Sequence, residues 1–211
     1  MARKAPLLRC RLHNLQNYKT IIPNCQTIIF GTSVCILAFT PNALLFPVAG
    51  ATIYVMYVRF ATINDLEACL RLDATFETRR VWQLDLREAR EQVSVLLRTT
   101  PVPRELRVDY PSPNDALLMH WQRGYCIMVA EHEPGSGVVG YLDVGPEPDL
   151  QTGWLWHLVV ERNQRRRGIG SLLLRAALQW SSDHQLRRLM VPLQTQNDPG
   201  VRFLQRHGFA F

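Results

Sequence analysis

The stretch Trp154-Leu-Trp-His-Leu-Val-Val160, followed by Glu161-Arg-Asn-Gln-Arg-Arg-Arg-Gly-Ile-Gly170 and Ser171-Leu-Leu-Leu-Arg-Ala-Ala-Leu-Gln-Trp180, decides the fold. Its first part is rich in aromatic and β-branched residues, which favours a buried strand. After Gly168, apolar side chains recur at the spacing of one helix face. A strand, a basic glycine loop and a helix in this order bring backbone N–H groups, a helix N-terminus and guanidinium groups to one place. Such an arrangement suits a bound pyrophosphate.

Other interpretations of the same residues remain open at this point. The three arginines 165–167 are also typical of a solvated charged surface or of a nucleic-acid patch. The two glycines are compatible with a plain turn before a helix. A dinucleotide fingerprint would need a third glycine at the proper spacing, and a G-x-x-x-x-G-K-[ST] phosphate loop would need a lysine, which is missing here.

The joint pattern of a long apolar strand and Arg165-Arg-Arg-Gly-Ile-Gly170 resembles the GNAT superfamily of N-acetyltransferases, whose acetyl-CoA signature is [QR]-x-x-G-x-[GA]. Leu186-Arg-Arg-Leu-Met-Val-Pro-Leu193 resembles the next strand of that family, which splays away from the first. Asn197-Asp-Pro-Gly-Val-Arg-Phe-Leu-Gln-Arg-His-Gly-Phe209 resembles its second block. Members normally continue beyond Gly-Phe, so the chain resembles a member that lacks the last strand or strands.

The resemblance implies a GNAT-like α/β fold, in which a central, mostly antiparallel mixed sheet is splayed at the acetyl-CoA site and flanked by helices. The upstream sequence agrees with it. Patterning predicts a strand from Val58, a helix capped at Asn64 or Asp65, a helix over 114–122, and strands over 125–130 and 138–143 around a Glu-Pro-Gly-Ser-Gly turn. Polar and apolar residues alternate weakly over 91–97, which is compatible with a strand. The Pro-rich stretch 101–113 predicts a loop within the domain.

Residues 1–55 differ in character from residues 56–211, which we expect to form one domain that is short at its C-terminus. The first segment holds five Lys/Arg and no Asp or Glu, whereas the rest carries 19 basic and 18 acidic residues. We expect this extension to lie outside the fold, either because translation starts at Met56 or because the segment is a weak membrane segment. The alternative of membrane association through residues 27–58 is disfavoured by Pro41 and Pro47, which interrupt the apolar stretch.

The five cysteines are odd in number and contain no C-x-x-C pair, so the sequence suggests neither a disulfide framework nor a metal site. Cysteine usage of this kind and a co-substrate made inside cells predict a cytoplasmic protein.

The resemblance also implies which residues bind acetyl-CoA. The strand backbone at Leu158, Val159 and Val160 would pair with the pantetheine arm. The loop residues Arg165, Arg166, Arg167, Gly168, Ile169, Gly170 and Ser171 would hold the pyrophosphate, and Asn197 would contact the cofactor arm.

The acid and base of catalysis are not defined by the sequence. The family's base position aligns with Trp154, with Trp156 next on the same face, and its tyrosine acid position aligns with Leu204; none of these can perform proton transfer. The remaining candidates are Glu161, His157 and Tyr141. Strand alternation would place His157 on the face opposite Trp154.

The predicted activity is acetyl transfer from acetyl-CoA to a primary amine of a small molecule or peptide by direct attack in a ternary complex. The alternatives are a non-catalytic acetyl-CoA-binding module, a degenerate or truncated enzyme, and an arginine-rich nucleic-acid binder. We expect no nucleic-acid partner, and a homodimer is compatible with the sequence. Acidic residues cluster around the predicted hairpin and its exit: Glu131, Glu133, Asp143, Glu147 and Asp149. They would either attract a cationic acceptor or form a solvated rim. Residues 73–84 resemble the corresponding part of acetyltransferases that modify aminoglycoside-like or streptothricin-like antibiotics.

Overall fold

A computed structural model describes the backbone of strands at 7–11, 25–30, 33–38 and 43–47, and residues 53–110, 114–147 and 151–211. Side chains are described from Met56 onward within these ranges, except at 114 and 115. Asp149, part of the Pro-rich stretch and most of the N-terminal extension lie outside the described residues.

The strands are β1 Leu7–Arg11, β2 Cys25–Phe30, β3 Ser33–Ala38, β4 Ala43–Pro47, β5 Ile53–Phe60, β6 Phe76–Ala89, β7 Gln92–Val108, β8 Cys126–Glu131, β9 Val138–Glu147, β10 Thr152–Val160 and β11 Arg188–Pro192. The helices are α1 Asp65–Arg71, α2 Asn114–Gln122, α3 Ile169–Asp183 and α4 Asp198–Arg206. Seven strands form one sheet in the order β1-β11-β10-β9-β8-β5-β4. Only β10 and β11 run parallel within it, which confirms the mixed, mostly antiparallel sheet.

Each face of the sheet buries its own apolar cluster. The cluster on the first face joins α3 and α4 to strands β8–β11, with Leu172, Leu173 and Leu174 fully buried. The cluster on the opposite face joins α1 and α2 to strands β8, β9 and β10 around Leu117 and Tyr141. The central strands are therefore covered on both sides, which explains why their sequences are apolar runs and do not alternate.

The close approach of α3 to the sheet depends on Gly140 of β9. A Cβ atom there would lie 2.9 Å from the carbonyl oxygen of Val159 and 3.2 Å from a methyl group of Leu173.

The structure confirms the predicted helices over 114–122, over 169–180 and after Asn197. It also confirms the predicted strands on both sides of the Glu-Pro-Gly-Ser-Gly turn. At α1 the predicted cap is only partly right, because Asn64 makes no side-chain capping bond and Asp65 instead accepts from the Thr62 N–H at 2.6 Å.

A long two-stranded hairpin, β6–β7, is inserted between α1 and α2. The prediction of a loop over 101–113 is wrong as far as Val108, because β7 continues through Pro101 and Pro103. Both strands of a two-stranded ribbon are edge strands, so some residues of each direct their N–H groups to solvent. A proline at such a position removes no hydrogen bond between the strands. The base of the hairpin is fixed to the main body, since the Trp82 N–H donates to the Thr195 carbonyl at 2.8 Å and its indole donates to Asp198 at 3.1 Å.

Two strands of the N-terminal segment lie at the edges of the sheet: β1 pairs with β11, and β4 pairs with β5. The expectation that residues 1–55 are not part of the acetyltransferase domain stays a prediction. Within the described residues, no helix combines the length and apolarity that crossing a bilayer requires.

Candidate active site

Strand β10 contains a β-bulge at Trp156. Leu155 pairs with Val144 of β9, and His157 pairs with the adjacent residue Asp143, so Trp156 is an additional residue in β10. A bulge shifts the alternation of side chains by one position. Leu155 belongs to the cluster under α3, and beyond the bulge it is Leu158 that packs against that cluster.

The shifted alternation brings Trp154, Trp156 and His157 to the same face of β10. The two indole rings stack with centroids 5.4 Å apart, and the ring of His120 from α2 lies 5.7 Å from Trp156 and 6.1 Å from His157. The expectation that His157 faces away from Trp154 is therefore wrong. Simple alternation cannot anticipate it, since residues 154–160 contain no glycine or proline that would mark a bulge.

Strands β10 and β11 separate directly before the bulge. Their parallel pairing runs from Thr152 to Trp154 and ends there, although β10 continues to Val160. The Glu161 N–H donates to a main-chain carbonyl of β9 at 2.9 Å. Because successive residues of a strand direct their N–H groups to opposite edges, Val159 faces β9 whereas Leu158 and Val160 face the open edge.

The loop after β10 forms a short 3₁₀ turn and then the N-terminus of α3. Gly168 has φ of 85°, a left-handed conformation that other residues adopt only with strain, and a Cβ atom there would meet nothing within 4 Å. The helix ladder begins with the Leu172 N–H donating to the Gly168 carbonyl at 3.0 Å. The N–H groups of 169–171 precede this bond, so the helix itself offers them no acceptor.

The three arginines of this loop are not equivalent. Arg165 is half-buried, and its three guanidinium nitrogens donate to the carbonyl oxygens of Val160, Thr75 and Asp73 at 2.9, 2.6 and 2.8 Å. Burial lowers the pKa of this guanidinium from its ordinary value. Arg166 and Arg167 are exposed. The side chain of Arg165 thus joins the segment after α1 to the end of β10, and only its two neighbours present their charge to solvent.

Asn197 and Ser171 are engaged in contacts of their own. The side-chain oxygen of Asn197 caps α4 by accepting from the Gly200 N–H at 2.8 Å, which leaves the amide NH₂ group as a donor. The Ser171 hydroxyl lies 3.0 Å from Nε2 of His207. This contact joins the first turn of α3 to the end of α4.

Two of the three predicted catalytic candidates have structural roles. Glu161 accepts from the backbone N–H groups of Asp73 and Arg162, both at 3.0 Å, and so caps the 3₁₀ turn. Tyr141 is 1% exposed within the cluster under α1, and burial raises the pKa of its hydroxyl well above the ordinary value.

The third candidate, His157, belongs to a buried cluster with Asp143 and His120. The Oδ2 atom of Asp143 contacts Nδ1 of His157 at 3.0 Å and also Nδ1 of His120. Asp143 is fully buried, and its Oδ1 atom has no hydrogen-bond partner among the described residues. These ligand-type atoms lie within 4.8 Å of one another. No local sequence pattern indicates this cluster, since Asp143 lies 23 residues from His120 and 14 residues from His157.

Tyr110, in the loop after β7, is a polar residue at the bulge that the sequence analysis missed. Its hydroxyl lies 3.5 Å from the Trp156 carbonyl and accepts from the Leu158 N–H. Burial, and secondarily the charge of Asp143, raise the pKa of the Tyr110 hydroxyl, so it remains protonated. A cleft of about 190 Å³ opens beside it, between the end of α1 and β10.

The predicted acidic group does not form one surface. Glu131 is 2% exposed and bound by Arg59 at 2.6 Å, and Asp143 is buried between two histidines. Glu147 does lie near the site, because it accepts from the indole N–H of Trp154 at 2.6 Å. The interpretation as a solvated rim is therefore wrong for the two buried members.

A sheet that opens beside a bulged strand and leads into a glycine loop and a helix N-terminus is the architecture of acyltransferases that use coenzyme A thioesters. Residues 91–209 match the acetyltransferase (GNAT) family, and the chain belongs to that family. It is accordingly an N-acetyltransferase with acetyl-CoA as co-substrate.

Solved structures agree with the fold. A nourseothricin acetyltransferase superposes with a TM-score of 0.60 at 21% identity, over 74% of this chain and 83% of that chain. A streptothricin acetyltransferase of Bacillus anthracis str. Ames, described as putative and solved with acetyl coenzyme A, gives 0.56 at 17% identity over 72% and 83%. The ribosomal-protein-S18-alanine N-acetyltransferase of Escherichia coli gives 0.50 at 12% identity over 74% and 77%.

Proposed function

We propose that acetyl-CoA binds along the open edge of β10 and the N-terminus of α3, and that the acetyl group passes to a small cationic amine. The observation that carries this proposal is the end of β10–β11 pairing at Trp154, because beyond it Leu158 and Val160 lie on an edge of β10 that pairs with no other described strand. In this arrangement Leu158, Val159 and Val160 form the strand beside the pantetheine arm.

The loop 165–171 is suited to a pyrophosphate. Its helix N-terminus offers N–H groups and the positive end of a dipole, and a ligand can approach the backbone closely at Gly168 and Gly170. Arg166 and Arg167 add exposed positive charge, whereas Arg165 contributes through its backbone and by fixing the loop. The amide NH₂ group of Asn197, whose oxygen caps α4, completes the proposed site.

The acceptor side supports a cationic amine. The stacked rings of Trp154 and Trp156 and the adjacent carboxylate of Glu147 attract a positive charge through both a π-face and an anion. Trp156 is 37% exposed, so this surface can be reached from solvent. The acceptor amine must lose a proton before it attacks the thioester.

Calorimetric titration of acetyl-CoA into the full chain tests the first part. Saturable binding is expected, and a Gly168→Glu, Gly170→Glu double variant is expected to lose it, because two carboxylates would occupy the place of the pyrophosphate. Gly170→Ala is the matched control: a Cβ atom there meets Phe203 at an ordinary 3.5 Å, and binding should persist. A chain that remains folded but does not bind acetyl-CoA would contradict the proposal.

A screen of acceptors tests the second part. Release of free CoA thiol would be measured with 1,3-diaminopropane, lysine, an aminoglycoside and a peptide with a free N-terminus. We expect turnover with the multiply charged small amines and a higher KM in Trp156→Ala and Glu147→Gln. Acetyl-CoA binding without CoA release from any amine would favour the alternative of a non-catalytic binding module. Nucleic-acid binding with a steep salt dependence and indifference to acetyl-CoA would indicate the nucleic-acid alternative.

A cytoplasmic location and a homodimer stay predictions. The first rests on where acetyl-CoA is made. The second is testable by sedimentation, and the exposed apolar side chains of the β6–β7 hairpin, such as Leu84, Leu86 and Val95, are the surface to vary first.

A further inference from the structure

We propose that His157 accepts the proton of the acceptor amine and that Asp143 and His120 position it. This inference rests on the proposed acetyl transfer at the open edge of β10. It assigns the proton acceptor that Trp154, at the aligned base position, cannot supply.

The position of His157 in β10 is the first argument. It follows the bulged residue Trp156 and precedes Leu158, whose N–H lies on the open edge. The ring of Tyr110, whose hydroxyl occupies that edge, is 6.1 Å from the His157 ring. A proton leaving an amine at the edge therefore has a short path to the imidazole, directly or through one hydroxyl or water.

The hydrogen bond to Asp143 is the second argument. An ionised carboxylate only accepts, so the contact at 3.0 Å places the proton of His157 on Nδ1 and leaves Nε2 as a free base. A fully buried carboxylate whose Oδ1 has no partner among the described residues strongly favours a positive charge nearby. It would thus stabilise the imidazolium that forms when His157 takes up the proton.

His120 differs from His157 in its surroundings. Its ring is enclosed by Tyr125 at 4.8 Å and Trp156 at 5.7 Å, and its side chain is 7% exposed against 11% for His157. It contacts the same oxygen of Asp143. We therefore assign His120 a positioning role, in which it shares the carboxylate and fixes its orientation.

The ammonium form of the acceptor first gives one proton to Nε2 of His157, and the neutral nitrogen then forms a bond to the acetyl carbon. The carbon–sulfur bond breaks, its electron pair leaves on sulfur, and the nitrogen loses a second proton to the thiolate, which becomes free CoA. The imidazolium then returns its proton to solvent.

Asparagine variants separate catalysis from structure. The amide NH₂ of asparagine can take the place of the Nδ1–H donor, so His157→Asn keeps the bond to Asp143 and removes only the Nε2 base. Its kcat with the best amine of the acceptor screen should fall about 100-fold, the scale of general base catalysis. His120→Asn preserves a bond to the same oxygen, so it should lower kcat less than His157→Asn does. The control is His184→Gln, because His184 lies at the exposed end of α3 and contacts Trp180 rather than the cluster; its kcat should equal that of the parent. Acetyl-CoA affinity by calorimetry should be unchanged in all three variants.

The pH profile and nitrogen NMR give readouts that a structural role would not move. Acidification protonates the imidazole, so kcat/KM should fall on the acid side in the parent, and this limb should be absent in His157→Asn. The ionisable groups that face His157 are Asp143 and Tyr141 on β9, His120 on α2 and Tyr110 after β7; Tyr110→Phe should keep the limb. In ¹⁵N-labelled protein, the His157 ring should carry its proton on Nδ1.

Three results would overturn the proposal. They are near-parental kcat in His157→Asn, a His157 ring protonated on Nε2, or a stoichiometric divalent metal lost in both asparagine variants, which would make the cluster a metal site. Loss of acetyl-CoA binding by the parent would instead refute the proposed function. The two failures are therefore distinguishable.

Discussion

Arg165 stabilises the site through its shape rather than its charge. Its planar guanidinium reaches three carbonyl oxygens on two separate segments, Val160 of β10 and residues 73–75. A lysine has the same charge but a single nitrogen, which cannot bridge them. Arg165→Lys should lower the free energy of unfolding by about 2 kcal/mol, the cost of leaving buried carbonyls without donors.

Chemical denaturation measures this effect. Arg167→Lys is the matched control, because Arg167 is exposed and its replacement should change stability by no more than about 0.5 kcal/mol. Equal stabilities of the two lysine variants would contradict the bridging role of Arg165.

Burial makes two thiols unreactive. It raises the pKa of Cys69 and of Cys126 to about 12 each, and both side chains lie inside the apolar clusters. Only the thiolate reacts quickly with alkylating reagents. Iodoacetamide at pH 8 should leave both residues unmodified in the folded protein and modify both in denaturant, as read by peptide mass spectrometry. Rapid modification of either one in the native state would show that its cluster opens.

At the scale of elements, glycines at two interfaces should respond oppositely to the same change. Gly140→Ala places a Cβ 2.9 Å from the Val159 carbonyl under α3, and overpacking of this kind costs about 1–3 kcal/mol. Gly170→Ala meets only ordinary contacts in α3, and alanine favours a helix by up to about 1 kcal/mol. Thermal unfolding should show a lower Tm for the first variant and an unchanged or higher Tm for the second. A Tm for Gly140→Ala at or above that of the parent would contradict the tight packing.

The elements that sequence patterning identified are those whose burial is one-sided or complete. Helix α3 has an apolar face, and β8, β9 and β10 are apolar runs, so their pattern follows directly from packing. Strand β6 was missed because most of its residues are exposed, and no apolar period is imposed on it.

The candidate site divides in the same way. The glycine loop is encoded in consecutive residues and was predictable. The cluster of His120, Asp143 and His157 arises from the pairing of β9 with β10, the bulge and the docking of α2, none of which a local pattern reports. The role of Arg165 also depends on a segment 90 residues away.

At the scale of the whole molecule, an ion network joins elements from distant parts of the chain. Arg59 of β5 donates to Asp65 of α1 at 2.7 and 2.9 Å and to Glu131 of β8 at 2.6 and 3.3 Å. Asp65 also accepts from the N–H and hydroxyl of Thr62. The network fixes α1, and with it the cluster that contains Tyr141, against strands β5 and β8.

This network makes stability depend on pH with a defined sign. Hydrogen bonds from Arg59, and secondarily from Thr62, hold the pKa of Asp65 below its ordinary value. A depressed pKa stabilises the fold above the pKa of the unfolded state, about 3.9, and the contribution is lost as the pH falls below it. Asp65→Asn should therefore be less stable than the parent by about 3 kcal/mol at pH 7, the cost of breaking a buried pair, and the difference should shrink between pH 4 and 2.

Urea unfolding of both proteins from pH 7 to pH 2 measures that difference directly. Asp85→Asn is the matched control: Asp85 pairs with Arg98 at 2.9 Å on the exposed hairpin, and such surface pairs contribute at most about 1 kcal/mol. If the free energies of unfolding of the parent and Asp65→Asn differ by the same amount down to pH 2, the charge of Asp65 does not stabilise the fold. A gap that narrows only for Asp65→Asn would show that this network, rather than surface charge, makes the docking of α1 sensitive to acid.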